Sequence, residues 1–316
     1  MYSIDFEQLK IYWTDFWQSP KGKILSSILK YTLIAAVLGY LIYQLAGIGW
    51  AKVYTSLPVT PWFYVLFVIL YFALPVSEQF IYRLSLNFSF WEGFKIFIKK
   101  KVLNADVMGY SGEALFYFWA KDTLKEDAGY ILAVIKDNNI ISSLTSTITA
   151  IVLLSIFLYV GEINIRQILD IGSFTVVLIV FIVLLIIGLL IYFRNYVISL
   201  DAETVLKIFG IHQARILLVY TLEIVQWMVV LPTVPLYVWF TFLSIRIIAS
   251  RLPVSQDLLF VSISIEISQY VDVSNSSIAG IMLASTVLSK VMNLFLYLLL
   301  MVIERSKKYL RINGKI

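Results

Sequence analysis

Four acids and a lysine stand inside stretches of this sequence that are otherwise apolar. Glu78 lies in "ALPVSEQFIY", Glu223 in "LVYTLEIVQWMVV", Glu266 in "FVSISIEISQYV" and Lys290 in "ASTVLSKVMNLF". The fourth acid, Glu113, follows a serine and two glycines in "NADVMGYSGEALFYFWAKD", where Asn104, Gly109, Ser111 and Gly112 precede it. On insertion scales a charge at the bilayer centre costs about 3 kcal/mol, so each such residue needs a partner, a water-filled cavity or a place near the interface. Lining a headgroup path, the acids would bind a cationic headgroup or carry protons. Their structural reading is a hydrogen bond to a neighbouring helix with no further role.

The rest of the composition narrows the chemistry. The chain has 316 residues, is 60% hydrophobic and only 14% charged, and its mean hydropathy is +0.87. A soluble domain could not hide that much apolar surface, so the sequence reads as an all-α polytopic membrane protein. With no cysteine and His212 as the single histidine, thiolate metal sites and the usual general base are missing, and no cofactor is expected. The net charge of +5 reports orientation rather than a nucleic-acid partner.

Six stretches are long enough to span, at roughly 20 residues each: 24–46, 62–84, 139–160, 172–193, 214–245 and 277–303. The fifth contains Pro232 and Pro235 and is expected to be broken or kinked. Residues 1–23 carry Tyr2, Phe6, Leu9, Trp13 and Phe16 at helical spacing, which predicts an interfacial amphipathic segment rather than a signal peptide. Lysines and arginines concentrate in alternate loops, including Lys95, Lys99, Lys100, Lys101, Lys121, Lys125 and Lys136, against Lys52, Arg166, Arg246 and Arg251 in the others. The bias predicts both termini, with the basic tail 304–316, on the cytoplasmic side of the inner membrane.

Two stretches, about 88–120 and 257–271, are too apolar for loops and unsuited to spans. Each is expected to dip into the membrane and return, from opposite faces. The halves 24–160 and 161–303 then form an inverted repeat, with Glu78 matched to Glu223 and Glu113 to Glu266. Lys290 is expected to pair with Glu78 or Glu223, a choice the sequence leaves open. The "KKK" run at 99–101 reads as an inner-leaflet anchor, Phe116, Phe118 and Trp119 as an interfacial belt, and His212 as a structural residue near the inner surface.

Four segments, "GIGWAKVYTSL", Asn104 with "MGYSGE", "QWMVVLP" and "IAGIMLASTVLSKVMNLFLYLLLMVIERSKK", resemble the transmembrane region of the lysylphosphatidylglycerol synthase and flippase family over residues 24–308. Met108 replaces that family's proline, "SISIEIS" keeps Glu266 without its glycines, and Thr286 stands where the last helix usually has arginine. The resemblance implies a lipid flippase without the soluble synthase domain and therefore not an enzyme. Its partners would be membrane lipids, with a homo-oligomer or a membrane complex compatible. A membrane-embedded transferase acting on a lipid carrier and a non-catalytic assembly subunit remain as alternatives.

Overall fold

The computed structural model describes residues 57–160 except Met108, residues 197–250 and 275–312, and a few isolated positions elsewhere. Isolated positions such as Ser19, Ile24, Phe181, Phe260 and Ser264 apart, the expected N-terminal segment 1–23, the spans 24–46 and 172–193, and the dip 257–271 with Glu266 lie outside the described residues. Among the described residues every regular element is helical. They are α1 (Pro61–Tyr82), α2 (Phe90–Asp106), α3 (Ser111–Leu124), α4 (Ala128–Val160), α5 (Ala202–Met228), α6 (Leu236–Ala249) and α7 (Asn275–Ile312).

Local chemistry sets most of the helix starts. Pro61 opens α1, where its missing N–H would be unpaired in any case. Ser89 and Glu92 form a reciprocal capping box at α2: the Ser89 hydroxyl accepts from the Glu92 N–H at 3.3 Å and donates to Glu92 Oε2 at 2.9 Å. Asp201 caps α5 by accepting from the Thr204 N–H at 2.9 Å. That backbone hydrogen bond holds the Asp201 carboxyl below its usual range, so the cap is intact at neutral pH and weakens as pH falls through the folded-state value.

Among the described residues three helices are long and apolar enough to cross a membrane: α1, α5 and the stretch Gly280–Ser306 of α7. Twenty-two residues give α1 a length of about 33 Å, which matches a hydrocarbon core of about 30 Å. Helix α7 continues to Ile312, so the tail expected from residue 304 begins as a direct extension of the helix.

Two helical hairpins decorate these long helices. In the first, α2 and α3 are joined by a short turn that includes Val107, Gly109 and Tyr110, and pack on the end of α1. Phe97, Phe116 and Tyr82 stack at its centre, with ring centroids 4.4–5.3 Å apart. Phe116 is fully buried, which corrects its assignment to an interfacial belt; Phe118 is the aromatic of this helix that is exposed.

The second hairpin revises the expected fifth span. The chain does break at residues 229–235, but α6 then turns back along α5 instead of continuing across. Had the helix run straight on, Glu223 and Arg246 would be about 34 Å apart at 1.5 Å per residue. They form an ion pair at 3.1 Å, and Trp227 meets Trp239 at 5.8 Å. Both tryptophans are almost wholly buried with Phe63, Phe242, Ile278 and Met282. This apolar core is what the turn exists to close.

Candidate functional site

Tight packing begins where the first hairpin crosses itself. Gly112 sits so close to α2 that a Cβ there would collide with the Lys100 carbonyl and come within 2.8 Å of Asn104 Oδ1. Its N–H donates to Asn104 Oδ1 at 2.7 Å, so Asn104 caps α3 from across the turn. Tyr110, the residue at the cap position, offers no side-chain bond and holds φ at +68°. Gly109 has open space around it. Of the two glycines singled out, Gly112 is the one demanded by close approach.

The crossing puts Lys100 between two acids. Its Nζ donates to Glu78 Oε1 at 2.5 Å and lies 3.4 Å from Glu113 Oε1; Lys100 is 1% exposed. The same Nζ reaches the Tyr82 hydroxyl at 3.3 Å. Asn138 Nδ2 donates to that hydroxyl at 3.1 Å, and Asn138 Oδ1 accepts from His212 Nε2 at 2.9 Å. His212 Nδ1 is then left to accept from Arg215 at 3.4 Å. One polar chain thus links α1, α2, α3, α4 and α5. His212 is buried within it, with both ring nitrogens engaged.

Pro75 explains the next lysine. A proline inside a helix cannot donate to the carbonyl four residues back, which here is that of Tyr71. Lys101 Nζ donates to the Tyr71 carbonyl at 2.5 Å and lies 3.4 Å from the centre of the Tyr71 ring. Lys99 pairs with Glu304 at 2.6 Å. Each lysine of the "KKK" run is therefore committed to a protein partner, and the leaflet-anchor reading is corrected. The periodicity gave the signal: Ile96, Phe97, Lys100 and Leu103 share one helical face, and all four are buried.

Lys290 pairs with neither Glu78 nor Glu223. Its Nζ donates to Asp106 Oδ1, and Asn293, three residues on, donates to Asp106 Oδ2. Asn293 Oδ1 in turn accepts from the Tyr71 hydroxyl at 2.6 Å. This cluster ties the end of α2 to α7 and α1. Asp106 was missed as the partner because it falls inside the stretch read as a dip, two residues after Asn104.

Glu223 belongs to a different place. Its Oε1 is held by Arg246 Nη1 at 3.1 Å, while Oε2 is buried without a hydrogen-bond partner. Both residues line a cavity of about 130 Å³ between α1, α2, α5, α6 and α7, with Lys101, Gln226, Ser285, Thr286 and Ser289 among its polar walls. Tyr71, Phe67 and Phe260 supply apolar wall. Arg246 was placed in a loop by the sequence reading; the fold-back of α6 carries it inward, where it lies 5.5 Å over the Phe260 ring. Its side chain keeps 40% exposure, so it stands at the cavity mouth.

The predicted residues therefore separate into three groups. Glu78, Glu113, Asn104, Ser111 and Gly112 surround the hairpin crossing, with Gly109 in its turn. Lys290 joins Asp106, and Glu223 lines the cavity. Lys101 connects the groups, because it is on the cavity wall and one residue from Lys100. No protein-family model matches the chain, and comparison with curated proteins and with solved structures gave no match.

Proposed function

We propose that the chain is an integral membrane transporter that moves the headgroup of a phospholipid or lipid-linked molecule between leaflets. The observation that carries this reading is the partly polar cavity between the spanning-length helices α1, α5 and α7 and the shorter helices α2 and α6. Within a bilayer, ionisable side chains face a bundle interior or a water-filled path rather than lipid, and here Lys101, Glu223 and Arg246 meet at one such space. Acyl chains would stay outside among the exposed apolar faces, such as Phe295, Leu298 and Val302 of α7.

The hairpin α2–α3 acts as a re-entrant unit in this account. Non-helical backbone is tolerated at depth only where protein covers it or a cavity opens beside it, and the Asn104 cap and the Lys100 pairs supply the cover on one side of the turn. The six spans, the second dip, the inverted repeat and cytoplasmic termini complete the proposed arrangement. The likeness of "MGYSGE" and "QWMVVLP" to the flippase family points the same way. Reconstituted full-length chain should speed the loss of outer-leaflet signal from headgroup-labelled lipids in vesicles treated with a membrane-impermeant quencher. Rates equal to protein-free vesicles for anionic, zwitterionic and cationic lipids alike would refute it.

A further inference from the structure

We infer that α1 is hinged at Pro75 and that Lys101 is the latch of the hinge, so that what the lysine meets in the cavity sets the bend of the helix. The inference rests on the transport reading for its purpose and on the geometry around Pro75 for its existence. Two independent features loosen the helix within one stretch. Pro75 leaves the Tyr71 carbonyl without its helical donor, and Ser77 Oγ donates to the Leu74 carbonyl at 2.8 Å, a back-bond of the kind that bends helices.

The two ends of α1 belong to different packed units. Phe63 is built into the core of Trp227, Trp239, Phe242 and Ile278. Beyond the proline, Glu78 is bound to Lys100, and Tyr82 packs on Phe97 and Phe116 of the α2–α3 hairpin. The joint between the units is where Tyr71 and Lys101 line the cavity. Helix α5 touches both, with Gln226 on the Phe63 carbonyl at 3.0 Å and Ile208 clustered with Ile81; the bend is therefore a shear of packed side chains rather than a wide swing.

Lys101 suits the latch because its bond crosses the joint. The lysine is on the hairpin and the carbonyl it holds, at 2.5 Å, is on the other side of the proline. Asp106, bonded to Lys290 and Asn293 of α7, joins the same units at the end of α2 and stands as the pivot. The acids whose charge acts on Lys101, Asp106 and Glu78, are already paired with Lys290 and Lys100, and Glu223 on the cavity wall is held by Arg246. Lys101 is thus left with a neutral acceptor. Hydrogen bonds to a charged oxygen are roughly twice as strong as those to a neutral one, so an acidic oxygen entering the cavity draws the lysine off Tyr71 and frees the joint.

The test is the distance distribution between spin labels on Trp62→Cys and Phe118→Cys, two exposed positions in a chain with no cysteine of its own. In vesicles of phosphatidylcholine and phosphatidylglycerol the labelled parent should show two distances. Pro75→Ala should collapse them to one, and Lys101→Met should raise the second population at least threefold. Combining the two substitutions should restore the single distance, which a mere loss of packing at Lys101 would not do. A Pro75→Ala distribution no narrower than the parent's overturns the hinge, whether or not Lys101→Met folds. In dodecyl maltoside, which carries no acidic oxygen, the parent's second population should fall at least threefold; an unchanged population would overturn the latch. Pro75→Ala should also move lipid at least tenfold more slowly, with an unfolding midpoint no lower than the parent's. Full-rate translocation by that variant would refute the inference and leave transport standing. The predicted distances in a chain that moves no lipid would uphold the hinge and refute the transport reading.

Discussion

Lys100 is the residue on which the first hairpin is most dependent. Removing one partner of a buried pair leaves an uncompensated charge and costs about 3–5 kcal/mol, whereas replacing the whole set by apolar groups can be neutral. Lys100→Met is therefore expected to lower the unfolding midpoint strongly, because Glu78 and Glu113 are left facing each other. Adding Glu78→Met and Glu113→Leu should recover most of the loss. A thermal unfolding series in detergent checks both, and a triple variant no more stable than the single one would contradict the pairing. Asn104 makes a smaller contribution of a different kind. Asn104→Ala should cost about 1 kcal/mol, the usual value of a lost helix cap, with Asn104→Asp close to neutral. Gly112→Ala should cost more than either, since the added methyl meets backbone as well as side chain. These contacts were half visible beforehand: Asn104, Gly112 and Glu113 stand out by type and spacing, but sequence alone cannot say that the asparagine caps the helix holding the other two.

At the scale of elements, Pro75 and Lys101 act as one device. Pro75→Ala restores an N–H to the Tyr71 carbonyl, after which the lysine is no longer needed there. Lys101→Met should accordingly cost less in the Pro75→Ala background than in the natural chain. A double-mutant cycle should return a coupling of about 0.5–3 kcal/mol, the range for residues in contact; strict additivity would refute the device. The fold-back of α6 is open to an equally direct check. The chain has no cysteine of its own, so cysteines placed at 223 and 246 are the only thiols present, and a short bismaleimide should join them. A straight fifth span would keep them about 34 Å apart and give no cross-link. Here the break at Pro232 and Pro235 was readable from proline chemistry. The direction of the chain after the break was not, because it is decided by burial of Trp227 against Trp239, a contact between helices that no local pattern encodes.

At the scale of the molecule, buried charges among the described residues gather at the hairpin crossing, the Asp106–Lys290 link and the cavity, with Asp137 apart from them under the Ser199 and Leu200 N–H groups. The composition already announced a membrane protein, and the described part supplies three helices of spanning length. What the sequence could not assign was which acid meets which cation: Lys290 went to Asp106, Lys100 to Glu78 and Glu113, and Arg246 to Glu223. Helical periodicity places a residue on a face, but the partner across that face depends on how helices whose paired residues lie 13 to 184 positions apart come together. Of these pairs, the one at the cavity mouth bears most directly on function. Glu223→Gln with Arg246→Gln keeps size and polarity there while removing both charges, so the folded state should survive and headgroup handling should not. The decisive measurement is the quencher-accessible lipid translocation rate of this double variant beside the natural chain, in vesicles of matched protein content. The account predicts translocation by the natural chain and at least a tenfold slower rate for the variant. A natural chain that moves no lipid, or a variant that moves it just as fast, would contradict it.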